Sequence, residues 1–310
     1  MGHHHDHGTG HASSKLRLTV SAGLTLALVI AEVVAGLQGH SLALLTDAAH
    51  NLTDVLALGL SGYAFRAAEQ PAHAGKTYGY HRVGILVALF NSSTLVVIAA
   101  GIFQEAYHRF LQLVPVMADV LVGMGGVAFL VNVLTAWLVS HGHRHDLNLR
   151  SAYLHLLGDV FSTLGAVAAG IGIWLTGLHW LDPAASVLIG LLILWNAWII
   201  LRETLDILLE STPRDIDMSA MVRDLMALEG VRGVHDLHVW SISQSLRMLS
   251  AHIVTDDITL HDGAAIQHRI NDCLVDRYNI AHTTLQLECE GCEPDLLYCD
   301  ITHARHGHAH

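Results

Sequence analysis

Long apolar runs separated by short polar breaks fill the first two-thirds of the chain. Residues 83–104 and 183–201 carry no Asp, Glu, Lys or Arg, and residues 18–36 carry only Glu32. A helix needs about 20 residues to cross a bilayer, and each run approaches or exceeds that length. Read with their polar breaks, these runs predict six spans, at 16–37, 41–66, 82–105, 116–140, 150–176 and 182–203. From Pro213 charge returns, and "RDIDMSAMVRDLMALEG" has the period of an amphipathic helix that needs no lipid. The rest of the tail predicts a helix over 215–229, strands over 233–242 and 246–255, a helix over 261–278 and a strand over 281–288. The expected fold class is an α-helical membrane protein with six transmembrane helices plus a C-terminal α+β domain of α-β-β-α-β order. It divides into a His-rich flexible N-terminus (1–15), a transmembrane domain (16–208), a soluble domain (209–300) and a His-rich tail (301–310).

Composition agrees with this division, since 310 residues at 52% hydrophobic and 14% charged are too apolar for an ordinary soluble domain. Lysine and arginine in the connections set the orientation, because they are retained on the cytoplasmic side. Lys15, Arg17, Arg66, Lys76, Arg82, Arg144, Arg150, Arg202 and Arg214 fall on one side of the six-span arrangement, and only Arg109 on the other. Both termini and the tail domain are therefore expected in the cytosol of an integral membrane protein, in the inner (plasma) membrane of a bacterium. The opening "MGHHHDHGTGH" has no apolar core and so does not read as a signal peptide. A net charge of −12 argues against a nucleic-acid surface.

The chemistry concentrates in "DAAHNLTDV", residues 47–55, which sets two aspartates and a histidine inside an apolar span. His50 and Asp54, four apart, project from one helix face with about 6 Å between their β-carbons. An uncompensated carboxylate at membrane depth costs at least about 2.5 kcal/mol, so such residues are read as functional by default. "SAYLHLLGDVFSTLG" supplies the matching pair, His155 and Asp159, again four apart. Both fit His-x-Leu-x-Asp-Val, at 50–55 and 155–160, on spans that run in opposite directions, as in the inverted repeats of secondary transporters. Two imidazoles and two carboxylates can close a tetrahedral shell around zinc, and the two carboxylates neutralise a divalent ion in low dielectric. Absence of sulfur disfavours copper(I), and the imidazoles disfavour magnesium; cadmium, cobalt and iron(II) separate from zinc less well. Histidine must lose its proton to bind metal, so zinc and protons displace one another, and alternating exposure of one such site gives antiport. No Walker loop offers ATP as a driver.

Several segments together resemble the cation diffusion facilitators, and within them the zinc-transporting branch of cobalt-zinc-cadmium efflux type. They are "LALLTDAAHNLTD", "YGYHRVGILVALFN", "LHLLGDVFSTLGAV", "GVHDLHVWSIS" and "HTTLQLE", in order along almost the whole length. The resemblance implies a homodimer exporting a divalent metal from the cytosol in exchange for protons, with His50, Asp54, His155 and Asp159 as the transport site. It also implies a metallochaperone-like tail domain that dimerises and binds Zn2+. Gly84 departs from the pattern, standing where members of the family often carry an acid.

In the tail, candidate ligands are His235, His252, His261, His282, Glu288, Cys289, Cys292 and Cys299, of which a few are expected to converge. The resemblance favours His252, Glu288 and His235, with His282 and the late cysteines used in the animal-type branch. His81 matches a position that holds metal at the membrane surface in animal relatives. Cys273 reads as core, and His238 with Trp240 as sheet packing. Histidine tracts at 3–11, 141–145 and 303–310 have the composition of loose metal-holding tails. Glu32, Asn91, Asn132 and Asn196 read as helix-packing polar groups, and Asp47 as either a vestibule acid or a packing partner. Two other classes compete. An intramembrane zinc enzyme would leave a ligand position open for water and usually add a separate acid or base. A membrane-anchored zinc sensor or scaffold without transport would not need both His-Asp pairs.

Overall fold

Six long helices precede a small sheet in the computed structural model, which describes residues 8–140 and 147–289, with side chains over 23–137 and 156–289. The helices are α1 (Gly8–Gln38), α2 (Leu42–Ala68), α3 (Arg82–Leu111), α4 (Ala118–Ser140), α5 (Leu147–Thr176) and α6 (Leu181–Leu208). The shortest, α4, has 23 residues and extends about 34 Å at 1.5 Å per residue, which exceeds a hydrocarbon core of about 30 Å. Among the described residues α3, Ala118–Trp137, Leu156–Thr176 and α6 are long and apolar enough to span alone, and Gly23–Gln38 is a shorter apolar helix. α2 is less apolar because Thr46, Asp47, His50, Asn51 and Thr53 interrupt it; all five are buried. Large apolar side chains such as Phe90, Val97, Trp174 and Trp195 instead point outward, as a lipid-facing surface requires.

The chain divides into two compact units, residues 1–63 with 87–201 and residues 64–86 with 202–310. In the first unit, Leu44, Leu95, Ile102, Leu121, Ile173, Ile189 and Ile193 form the buried core. α4 and α5 pack closely because glycine removes side-chain bulk between them: a β-carbon at Gly170 would lie 2.9 Å from both Leu121 Cγ and Val122 Cγ2. Small residues at such crossings let backbones approach where lipid offers no hydrophobic drive. The start of α2 is fixed by Asp182, fully buried at the start of α6. Its carboxylate accepts from Leu42 N (2.7 Å), Ala43 N (3.2 Å) and Ser41 Oγ (2.6 Å). It therefore caps a neighbouring helix as an N-cap side chain would cap its own. Arg109 donates to the His40 carbonyl at 2.6 Å and stands 3.6 Å from Asp182 Oδ2, which gives this arginine a structural task.

The second unit holds α7 (Met218–Met226), β1 (Gly233–Ser241), β2 (Arg247–Val254), α8 (Leu260–Tyr278) and β3 (His282–Glu288), in the α-β-β-α-β order expected. The sheet runs β1-β2-β3, with β1 antiparallel and β3 parallel to β2. Asp217 caps α7 and Thr259 caps α8, and Asn279 ends α8 in the left-handed region at φ 53°. One sheet face packs Leu249, Ala251 and Ile253 against Met221, Leu225, Ile266, Ile270 and Leu274 of the two helices. The opposite face carries His235 against His252 and His238 against Ser250. A bulge between His235 and His238 makes this possible. Within it Asp236 takes φ 48°, a conformation open to aspartate at modest cost, and Leu237 turns fully into the core. The connection between α2 and α3 belongs to this unit as well: Arg82 pairs with Glu210 at 2.8 Å, and Tyr78 meets the His282 ring edge-on at 6.4 Å.

Candidate metal sites

The i,i+4 spacing on α2 puts His50 and Asp54 on one face, and α5 brings Asp159 across to them. His50 Nε2 lies 3.5 Å from Asp54 Oδ2 and 3.4 Å from Asp159 Oδ1. Ligand atoms from all three lie within 4.8 Å of one another, close enough for one divalent ion to reach each. His50 and Asp159 are buried and Asp54 is half-buried. They open on a cleft of about 470 Å³ that Asn91, Ser162 and Asn196 also line. Thr53 and Thr163 direct their hydroxyls to the His50 and Asp159 carbonyls, at 2.6 and 2.9 Å, so each is satisfied within its own helix beside a ligand. His155 belongs to α5 one turn before Asp159; its side chain lies outside the described residues.

Behind this cluster is a second polar layer, of Glu32, which sequence reasoning treated as packing, and Asp47, which it left as a vestibule acid or a packing partner. Glu32 of α1 and Asp47 of α2 are essentially without exposure, at 0% and 1%. Asn51 donates to Glu32 Oε2 at 3.4 Å, and Ser162 donates to Asp47 Oδ1 at 3.1 Å. Asp47 is thus a buried partner of α5.

In the tail domain, register sets His235 directly opposite His252, their rings 5.0 Å apart and edge to face. Glu288 at the end of β3 reaches both: Oε2 is 3.0 Å from His235 Nε2, and Oε1 is 2.9 Å from His252 Nδ1. The three donors lie within 4.8 Å of one another. Two imidazoles and a carboxylate suit zinc. Asp236 was not anticipated; the bulge swings it to 3.6 Å from His252 Nε2 and 3.1 Å from His238 Nε2. His238 stands exposed beside that acid and does not bury in the sheet as expected. Only the irregular spacing of the two histidines in "HDLH" hints at this.

The other candidates do not join this group. His282 begins β3 opposite Met248, at the far end of the strand from Glu288, and is exposed. His261 is exposed in the first turn of α8, Cys289 is exposed beyond β3, and His81 is half-buried just before α3. Burial pushes the half-buried Cys273 thiol up, away from the thiolate a metal would need. Cys292, Cys299 and the three histidine tracts lie largely or wholly outside the described residues.

Comparison with known proteins decides the family. The family model for the cation efflux transmembrane domain matches residues 18–209, and that for the cation efflux protein, cytoplasmic domain, matches residues 213–290. The chain belongs to the cation efflux family. Relatives in this family are similar over nearly the whole length. A "Cadmium, cobalt and zinc/H(+)-K(+) antiporter" of Bacillus velezensis is 36% identical, covering 93% of this chain and 92% of the relative. The "Metal cation efflux system protein CzcD" of Cupriavidus metallidurans is 36% identical over 94% and 91%. The "Zinc transporter ZitB" of Escherichia coli is 35% identical over 100% and 99%. A solved "Metal-bound C-terminal domain of the CzcD transporter" matches 24% of this chain and 99% of its own at 27% identity, with a TM-score of 0.22, too low to bear on the fold. Membership in a cation efflux family makes this an integral membrane protein of metal cation transport.

Proposed function

We propose that the protein exports zinc from the cytosol in exchange for protons, with cadmium and cobalt as further cargoes. The observation that carries this reading is the convergence of His50, Asp54 and Asp159 on one cleft inside the helical unit. His155, one turn from Asp159, completes a two-His two-Asp set. Two carboxylates balance the charge of a divalent ion, and each imidazole binds it only when deprotonated, so cargo and proton compete for the same nitrogen atoms. In the cytosol-facing state the set loads zinc; in the outward-facing state protonation of a histidine releases it. Names of the relatives support the choice of cargo.

The tail domain, in the same proposal, lies in the cytosol, joins two copies of the chain as a homodimer and holds a resident zinc on His235, His252 and Glu288. Both termini lie on that side, in a bacterial inner membrane. The test of export is zinc uptake into inside-out proteoliposomes under an imposed pH gradient, for the native protein and for Asp54→Ala and Asp159→Ala. Uptake that needs the gradient and is lost in both folded variants is the expected result. Uptake that persists without the aspartates, or native protein that moves no zinc, overturns it and leaves the sensor reading in front.

A further inference from the structure

Glu32 and Asp47 pose a chemical problem that the four-ligand site does not explain. Both carboxyls are buried, from different helices, and they lie within hydrogen-bonding reach of each other. Asn51 and Ser162 each donate to one oxygen. Glu32 Oε1 and Asp47 Oδ2 are left buried with no donor. Among the described residues no lysine or arginine is there to compensate. α2 adds His50 and Asp54, and α5 carries Asp159 and, one turn earlier, His155, whose side chain lies outside the described residues. α4, which packs on α1, contributes only Asp119 in its first turn.

An ionised carboxylate can only accept hydrogen bonds. Two of them in contact, out of water and without a counter-charge, repel strongly. A single proton resolves this, because the O–H of one carboxyl donates to the bare oxygen of the other. We infer that Glu32 and Asp47 form a proton-binding pair that holds one shared proton while the cargo site is empty and gives it up when a divalent cation binds at His50, Asp54 and Asp159. This deepens the export reading and rests on it.

A route between pair and cleft is present. Ser162 lines the cleft and donates to Asp47, so its hydroxyl, by rotating, can pass a proton from Asp47 to cleft water. Charge supplies the coupling. An empty site with two nearby aspartates raises the local demand for a proton, and a divalent ion reverses it. On cargo binding the O–H bond of the pair breaks and the proton leaves through the cleft; on cargo release it re-forms.

Infrared difference spectroscopy on the reconstituted full-length protein tests this directly. Zinc-free native protein at neutral pH is expected to show the C=O stretch of a protonated carboxyl, lost on zinc addition and absent from Glu32→Gln and Asp47→Asn. Proton release on zinc binding, read with a pH indicator in detergent, is expected to fall by about one proton per zinc in Asp47→Asn, which keeps all four cargo ligands. Absence of the band from the native protein overturns the inference without recourse to any variant. So does a band that zinc does not change, one that survives both substitutions, or an unchanged proton count. The export reading fails separately, when native vesicles move no zinc under a gradient.

Discussion

Tyr278 illustrates how one hydroxyl ties stability to pH. Its Oη donates to Asp224 Oδ2 at 2.8 Å, and Arg277 Nη1 donates to the same oxygen at 2.8 Å. The hydrogen bond from Arg277, and then that from Tyr278, holds the Asp224 carboxyl below the usual carboxylate range. Desolvation, and then the neighbouring carboxylate, pushes Tyr278 up from 10.0 to about 12. The folded state thus keeps the phenol protonated more firmly than the unfolded chain does. Stability from this contact is full below pH 10 and is lost as pH rises toward about 12. Denaturant midpoints across that window should fall for the native protein and fall less for Tyr278→Phe; equal slopes would remove Tyr278 from the account. At this scale His50 and Asp54 were legible, because four-residue spacing on a helix places side chains together without knowledge of tertiary structure. So was the grouping of His235, His252 and Glu288, through the motifs that contain them. Asp236 was not, since its position depends on a bulge and a positive φ that no periodicity encodes. The contact between Glu32 and Asp47 was not either, since it depends on how α1 meets α2.

Helix limits followed closely for α2, α4 and α5, whereas α1 begins at Gly8, inside the segment expected to be flexible, and α3 and α6 run on to Leu111 and Leu208, past the expected 105 and 203. α2 was recovered although polar residues interrupt it. Its interrupting polar residues face inward and not toward lipid. The start of α2 was legible in Ser41, whose Oγ accepts from Leu44 N at 3.2 Å, but the second acceptor there, Asp182, was not, because it lies 140 residues away in sequence, on α6. Asp182→Ala leaves the Leu42 and Ala43 amides and the Ser41 hydroxyl without their acceptor and Arg109 without a buried counter-charge. Its cost should be about 3 kcal/mol, measured by denaturant unfolding in detergent, whereas Glu105→Ala on the exposed side of Arg109 should cost under about 1 kcal/mol. Similar losses would place the stabilisation on Arg109 in general and not on the cap. The α4–α5 crossing yields a steric counterpart. Gly170→Leu must displace Leu121 and Val122, and should destabilise by about 1–3 kcal/mol, while Gly123→Leu, where a β-carbon would meet nothing within 4 Å, should be nearly neutral. Equal effects would show that the crossing relaxes freely.

Two donor groups of different make-up stand in two separate units of the chain, one of His50, Asp54 and Asp159, the other of His235, His252 and Glu288. They share no residue, and no element carries ligands for both. Calorimetric titration of the full-length protein with zinc should therefore resolve two classes of site, each weakened by acid because its imidazoles must be neutral. Asp159→Asn should abolish the first class and Glu288→Gln the second. Each single substitution should leave the other class within about 0.5 kcal/mol of its native affinity, as expected of independent sites. Gradient-driven uptake should then vanish in Asp159→Asn and persist in Glu288→Gln, because the proposed cargo is held only inside the helical unit. If Glu288→Gln also shifts the affinity of the first class, the two units are energetically linked. By reciprocity, zinc at the cargo site must then change zinc binding on the sheet by the same factor, and that second measurement decides whether the tail domain regulates transport or only holds the assembly together.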